Sequence, residues 1–501
     1  MKLNIINNNL IPIYVTRVTE TLEKAGFEVF LVGGCVRDLI MNRVPKDWDI
    51  TTNAKPDQII SLFEKTIYEN KFGTIGVCFA IDTEIVTHET KYNIVEVTPY
   101  RIEAKYSDFR HPDEVIFSDN LEDDLKRRDF TINALAYNIY KGQLIDLYKG
   151  QTDIKDKIIR TVGSAEDRFI EDALRMLRAI RFSTQLGFAL SSESMKEIVE
   201  NASLLKNISF ERIRDEFIKV IMSDDPVMGV GLLNKLGLLK YIIPELEEGI
   251  GCEQKGEHIY DVWEHLLHAL SHAGNKGWSL EIRLAALFHD IGKPRTRRWD
   301  GTKAGGKGKY TFYGHEVIGA RITKEVMERM KFPKKTTELV IKLVRGHMFF
   351  SDTEMISLSA VRRVVSNFGE DHIWDLMKVR ECDRVGMKKK EAPYRLRKYH
   401  AMIEEVLRNP ISVGQLAIDG KYMMEVLHMK PGPRMGWILN AILEEVLDDP
   451  TKNTPEHLSD LVKSLNILGD QELRILGERG KEKKDELEKV EVEKLHKKHG
   501  V

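Results

Sequence analysis

The hydrophobic period changes once along this chain, near residue 160, and that change limits the folds open to it. Before it, short runs such as FEVFLVGG, GTIGVCFAI, YNIVEVTPY, LAYNIY and LIDLY are interleaved with helical stretches, the alternation of a sheet that carries helices. After it, EDALRMLRAIRFSTQLGF, SESMKEIVENASLL, FERIRDEFIKVIM and GVGLLNKLGLLKYI repeat apolar residues every three or four positions, as amphipathic helices packed on one another do. The expected fold class is α+β, with a mixed sheet and helices over residues 1–160 and an all-α remainder. That remainder is expected to divide at 161–255, 256–400 and 401–501, the last ending in a charged tail. At about 100–200 residues per domain, 501 residues exclude a single domain.

Composition bears on location and partners. Lys and Arg number 76 against 78 Asp and Glu, and 42% of residues are apolar, the balance of a soluble globular chain. Any nucleic-acid contact must then come from local patches. No apolar run approaches the ~18 residues needed to cross a bilayer. The start MKLNIINNNLIPIYV also lacks a basic stretch followed by an apolar core, so a cytoplasmic protein without membrane contact is expected. Nothing in the sequence fixes an oligomeric state. Cys35, Cys78, Cys252 and Cys382 are far apart with no CxxC spacing, which predicts reduced core thiols and neither a zinc knot nor a disulfide framework.

In FEVFLVGGCVRDLI a strand runs into the Gly33-Gly34 turn and then a helix, which places unpaired N–H groups where an anion can sit. A plain tight turn has the same spelling. Arg37, one turn on, can fork onto phosphate oxygens. In DWDI, Asp47 and Asp49 lie two apart in a β-like context, so both carboxylates are expected on one face, where they can share hard divalent cations. A glycine turn, an arginine and two carboxylates within seventeen residues supply what phosphoryl transfer from a nucleotide needs, with Mg²⁺ as the expected cofactor. Glu96 in YNIVEVT is a candidate third carboxylate or a structural residue. EDDLKRRDFTINALAYN gathers Arg127, Arg128, Asp129 and Asn133 at an expected helix entrance, a mixture suited to ribose and phosphate or to a surface ion-pair cluster.

EDALRMLRAIRF spaces Asp172, Arg175, Arg178 and Arg181 by three, which predicts one helix with the nearest pair on one side. An Asp that accepts beside an Arg that donates matches the edges of cytosine and adenine, each an amino donor next to a ring-nitrogen acceptor, and mismatches guanine and uracil. Each correct edge contributes on the order of 1–3 kcal/mol, by analogy with base readout in DNA. An intrahelical ion-pair row has the same spacing.

The ordered motifs LVGGCVRD, DWD, RRDFTINA, EDALRMLRAIRF and SFERIRDEF over about residues 20–220 resemble those of the class II tRNA nucleotidyltransferases, the family of CCA-adding enzymes and bacterial poly(A) polymerases. The resemblance implies a nucleotidyltransferase head at 1–160 and a nucleotide-reading neck at 161–255. The implied reaction is template-independent addition of C, C and A to tRNA from CTP and ATP, with pyrophosphate leaving. By position, it implies that Gly33, Gly34 and Arg37 grip the triphosphate and Asp47 and Asp49 hold metal. Arg128 would contact the nucleotide, Asp172 and Arg175 would read the base, and Arg178 and Arg181 would support the bound nucleotide, while Asp129 and Asn133 are candidate nucleotide-binding residues from the residue mixture itself. YRIEAKYSDFRHPDEVIF is similar to the family's flexible loop, with Glu103-Ala104 where many members carry an acidic residue and glycine. A poly(A) polymerase or A-adding enzyme is the alternative within the family.

Histidines cluster between 256 and 386: His258, His265, His268 and His272, then His289-Asp290, His315, His347 and finally Asp383. Vicinal imidazole and carboxylate ligands can serve one or two metal ions. The order resembles the HD phosphohydrolase superfamily. It implies His265, His289, Asp290 and Asp383 as core ligands of a divalent metal, with His315 and His347 completing a second site and His268 competing with His265. Hydrolysis of phosphomonoesters or cyclic phosphodiesters would follow, as a secondary activity or, alternatively, as the main one. Residues 292–309, with seven Lys or Arg against one Asp and five glycines, are expected to form a mobile basic loop, and 388–398 a second basic turn broken at Pro393. The region from 401 is expected to hold the tRNA body.

Overall fold

The structure, a computed structural model, describes residues 6–68, 73–80, 92–104, 114–254, 259–301, 309–348, 356–385, 393–408 and 413–499. His258 and much of three expected loops (105–113, 302–308 and 388–392) lie outside them. The chain divides into two compact units, Met1–His347 with Lys378–Gly386 and Met348–Met377 with Met387–Val501.

The first unit opens with α1 (Ile13–Lys24), which buries Val15, Val18 and Leu22, a single stripe at intervals of three and four. Then come β1 (Val29–Val32), α2 (Gly34–Ile40), β2 (Asp49–Thr52), α3 (Pro56–Leu62), β3 (Thr66–Tyr68), β4 (Ile75–Ala80) and β5 (Tyr92–Pro99). A hairpin of β6 (Arg101–Ala104) and β7 (Glu114–Phe117), helix α4 (Leu121–Lys126), and strands β8 (Leu135–Asn138) and β9 (Gln143–Asp146) complete the head. Seven of these strands form one sheet in the order β3-β4-β5-β2-β1-β8-β9. Only β2 and β5 pair in parallel, with Asp49 opposite Glu96, so the sheet is mixed as expected. Every residue of β1 is buried, which explains its unbroken apolar run.

After α5 (Gly150–Asp156) and β10 (Ile158–Ile159) the chain is almost wholly helical: α6 (Ala165–Glu171), α7 (Leu174–Leu186), β11 (Ala189–Leu190, parallel to β10), α8 (Ser192–Asn201), α9 (Phe210–Ile221), α10 (Pro226–Lys235), α11 (Leu239–Ile242) and α12 (Pro244–Glu247). α13 (Val262–Asn275), α14 (Leu280–Phe288), α15 (Lys293–Thr296), α16 (His315–Arg329) and α17 (Lys334–Gly346) carry the histidines. Two strands lie in the expected basic loop: β12 (Arg298–Asp300) pairs antiparallel with β13 (Lys309–Thr311), with Trp299 and Tyr310 opposite each other and packed edge to face.

The second unit holds α18 (Leu358–Phe368), the start of α19 (Glu370–Asp383), α20 (Pro393–Leu407), α21 (Gly420–Glu425), α22 (Pro433–Asp448), α23 (Pro455–Leu465) and α24 (Asp470–His499). Pro393 opens a helix in place of breaking a turn, since its missing N–H and fixed φ suit a first helical position. α24 crosses α22 closely: a Cβ on Gly480 would lie 2.1 Å from the Asn440 carbonyl oxygen. No helix among the described residues is long and apolar enough to cross a membrane. All four cysteines are buried, and none forms a disulfide among the described residues.

Candidate active site and metal centre

Gly33 links β1 to α2 with φ +81°, a left-handed conformation that a side chain would strain. A Cβ there would also sit 3.0 Å from Arg128 Nη1 and 3.5 Å from Asp49 Oδ2. The bare glycine thus leaves a cradle between a guanidinium and a carboxylate. Asp49, half-buried, starts β2; Trp48 before it is buried, and Asp47 lies exposed in the bend that precedes the strand. Glu96 is exposed and is the register partner of Asp49. This acidic edge beside an open glycine turn fits a hard divalent cation.

From the turn a polar chain runs into the neck. Arg37, buried, donates to Asp38 Oδ1 through Nε and Nη2 (2.9 and 2.7 Å) and through Nη1 to Asn133 Oδ1 at 2.8 Å. Asn133 in turn donates to Asp129 Oδ1 at 3.2 Å, and Arg178 forks onto Asp129 Oδ2 at 2.8 and 2.6 Å. Burial alone would raise the Asp129 carboxyl, but Arg178 and the Asn133 amide hold it down at about 2. Arg181 forms an ion pair with Glu216 on α9 at 2.9 Å and lies 3.9 Å over the Phe182 ring. Arg127 and Arg128 share the buried Asp124. The segment is a helix exit and a 3₁₀ turn over Thr131–Asn133, and not the expected helix entrance: α4 ends at Lys126, so these arginines follow it.

The row of Asp172, Arg175, Arg178 and Arg181, expected on one helix, is likewise interrupted. Asp172 closes α6 in extended conformation (φ −143°, ψ 102°), and its carboxylate accepts from Leu174 N–H at 3.0 Å, so it stands between two helices and only Arg175, Arg178 and Arg181 share α7. An aspartate competes well for such local N–H groups, and spacing alone hides this. Asp172 is oriented by Arg212 (2.7 Å), and Arg175 by Glu171 (2.5 Å) and the carbonyl of Arg168 (3.2 Å). Spacing does not single out Glu171, Arg212 or Glu216, although all three sit inside the motifs EDALR and SFERIRDEF.

In the histidine region, α13, α14, α16, α17 and α19 deliver His265, His289-Asp290, His315, His347 and Asp383 to one buried spot. Their ligand atoms form two sets, His265, His289, Asp290 and Asp383 in one and Asp290, His315 and His347 in the other, each within 4.8 Å. His289, His315 and His347 each direct Nδ1 at a backbone carbonyl, of Ala286, Phe312 and Val344 (2.8, 2.8 and 2.6 Å), which leaves Nε2 facing inward. Both Asp290 oxygens are buried without a hydrogen bond of ordinary geometry, although Lys293 Nζ approaches Oδ2 to 2.5 Å. Burial would lower His289, yet Asp290 and Asp383 raise it to about 10. So dense a nitrogen and oxygen set, with both Asp290 carboxylate oxygens buried at its middle, fits a pair of divalent cations. His268, exposed, stacks on Tyr260 and stays outside.

Gly292 lets these elements meet: a Cβ there would be 2.3 Å from His315 O and 2.5 Å from Gly319 N. Gly292→Ala must push α16 away, and we expect it to weaken divalent-ion binding at this centre by at least about tenfold. Metal content after loading and desalting checks this.

Comparisons with known proteins match family models to three stretches of the chain. A family model described as "Poly A polymerase head domain" matches residues 29–160, one described as "Probable RNA and SrmB- binding site of polymerase A" matches 187–250, and the HD domain matches 262–385. The class is therefore a polymerase-type nucleotidyltransferase head followed by an RNA-binding region and an HD domain. The CCA-adding enzyme of Lactiplantibacillus plantarum is 45% identical over 448 residues, 89% of this chain and 94% of that one. The crystal structure of the Bacillus stearothermophilus CCA-adding enzyme in complex with CTP shares 27% identity and a TM-score of 0.58, over 90% of this chain and 96% of that one. The Thermotoga maritima CCA-adding enzyme complexed with tRNA shares the fold at 18% identity and a TM-score of 0.50, over 90% and 95%. The chain belongs to the CCA-adding enzymes, the tRNA nucleotidyltransferases.

Proposed function

We propose that the protein, in the cytosol, adds C, C and A in turn to the 3′ end of tRNA, consuming CTP and ATP and releasing pyrophosphate. The observation that carries this reading is the unbroken polar chain from the Gly33 turn through Arg37, Asn133 and Asp129 to Arg178 on the helix that also bears Arg175. It ties the phosphate end of a bound nucleotide to its base end.

In this reading the triphosphate lies against the Gly33-Gly34 bend, with Arg128 beside it. Asp47 and Asp49 would hold Mg²⁺, which when bound supplies charge neutralisation at the attacking and leaving oxygens. The tRNA 3′-oxygen attacks the α-phosphorus, the bond to the bridging oxygen breaks, and pyrophosphate leaves. Asp172 accepts from the amino group of cytosine or adenine while Arg175 donates to N3 or N1. Arg178 and Arg181, committed to Asp129 and Glu216, position that pair. Arg175→Ala is expected to cut the preference for CTP and ATP over UTP and GTP by roughly ten- to a hundredfold. Single-nucleotide incorporation kinetics with each triphosphate measure it.

Incubating the protein with tRNA that lacks CCA and each labelled triphosphate tests the whole reading. Two C followed by one A is expected. Unlimited A supports a poly(A) polymerase, and A alone an A-adding enzyme.

A second activity rests on a separate observation, the Asp290 carboxylate common to two ligand sets. Bound divalent cations there would activate water toward a phosphoester. The chain's own part is to hold the six ligands, with Arg380 bracing Asp383 at 2.5 Å and Lys293 bracing Asp290.

A further inference from the structure

Phe182 on α7 stands where three cations meet. Arg181 lies 3.9 Å over its ring, Arg37 5.4 Å and Arg178 5.5 Å, all within the ~6 Å reach of a cation–π contact. Arg37 comes from α2, beside the glycine turn, whereas the other two share α7 with the ring. The Phe182 ring is 7% exposed and meets the fully buried Phe130 edge to face at 5.7 Å. Phe130 directly precedes the 3₁₀ turn that carries Asn133. One aromatic side chain therefore borders the arginines assigned above to the phosphate end and to the base end of a bound nucleotide.

Three guanidiniums so close repel one another. Asp38, Asp129 and Glu216 balance them in number. Burial, with the charges of Arg178 and Arg37, still brings Arg181 down to about 10 against the pull of Glu216. Its Nε is buried without a hydrogen bond of ordinary geometry, although it lies 2.9 Å from Glu216. Hydrogen bonds run along the edge of a guanidinium and leave its flat faces to a ring. An aliphatic side chain of similar size would fill the same space, but only an aromatic face draws cations toward itself. With that attraction, Arg37 of the head and the two neck arginines share one fixed point. The phosphate grip and the base reader then keep their spacing in the empty site, and a nucleotide binds with a smaller ordering cost.

We propose that Phe182 is a positioning residue of the nucleotide site: through the negative face of its ring it holds Arg37, Arg178 and Arg181 in the arrangement that receives CTP or ATP. This role deepens, and rests on, the reading of that site as the nucleotide pocket of CCA addition.

The test keeps the shape of the side chain and changes its charge distribution. The full chain is prepared with Phe182 replaced by mono-, di- and trifluorinated phenylalanine, which withdraw electron density from the ring face in steps. A second series carries the same replacements at Phe169, a fully buried ring of α6 with no cation over it among the described residues. Equilibrium dialysis measures the affinity for CTP. The expected result is a stepwise loss along the Phe182 series, at least about fivefold at the trifluorinated ring, since a desolvated cation over a ring is worth that much or more. No trend is expected along the Phe169 series, and tRNA affinity should stay within about twofold in both. Equal CTP affinity throughout the Phe182 series overturns the proposal. So does an equal slope in the two series, or a parallel loss of tRNA affinity, either of which marks a general loosening of the neck. Failure of the unchanged chain to add C and A to tRNA overturns the CCA reading alone, because the CTP affinities still judge the ring. No CTP binding by the unchanged chain overturns both.

Discussion

Asp49→Ala is expected to lower CMP and AMP incorporation into tRNA at least about a thousandfold while tRNA affinity changes little. The carboxylate stands at the first position of β2, half-buried, 3.5 Å from the point a Gly33 side chain would fill and opposite Glu96 in the sheet register. Metal clamping of the transferring phosphoryl group is worth several kcal/mol, and each 1.36 kcal/mol is tenfold in rate, so loss of one ligand of the clamp lies in that range. Binding of tRNA draws instead on a wide polar surface that one acidic residue does not supply. Labelled-triphosphate incorporation and filter binding separate the two quantities. Incorporation within tenfold of the unchanged chain would sink the transferase assignment of this edge. Asp49→Asn, which keeps the shape, is expected to behave like the alanine variant because charge is what the site needs.

How much of this was legible beforehand depended on the range of the interaction. The switch from strand to helix texture is a local property of hydrophobic period, so the mixed head sheet and the helical remainder could be read directly. The ordered motifs, likewise, placed Gly33, Asp49, Arg37 and Asn133 near one another in expectation, and the chain contacts among them are observed. Spacing failed where a side chain competes with the backbone. Asp172 caps Leu174 and ends one helix before the next begins, a choice made by one hydrogen bond. It failed again at Trp299 and Tyr310, which lie opposite each other in two strands within a segment that composition marks as a loop. By sequence His265 is the expected ligand, with His268 one helical turn on as its competitor. Only the packing of α13 separates them, by turning His265 to the buried cluster and His268 to Tyr260 at the surface. Arg178 is expected from its motif to support the nucleotide, and its forked bond to Asp129 is a long-range contact that no one-dimensional pattern reveals.

Asp290→Asn is expected to abolish stoichiometric divalent-ion binding at the histidine–aspartate centre, with affinity down at least about a hundredfold, and to leave CCA addition intact. Asp290 is 1% exposed and belongs to both ligand sets, so its two oxygens are the part of the cluster that neither half can replace. Outer partners of metal ligands alone are worth 10- to 100-fold in affinity, which sets a floor for removing a shared ligand. The amide keeps the volume and most of the packing but loses the charge that balances cations in a site where water is excluded. His265, His289 and Asp383 could still form a partial set, so residual binding of one ion should be weak and insensitive to His347→Ala. In the unchanged chain, by contrast, His347→Ala should remove one ion and spare the other. Metal analysis after equilibrium dialysis against manganese or nickel counts the ions directly. Two ions retained by the Asp290→Asn chain would show that the carboxylate is not shared, and one ion in the unchanged chain would reduce the centre to a single-metal site.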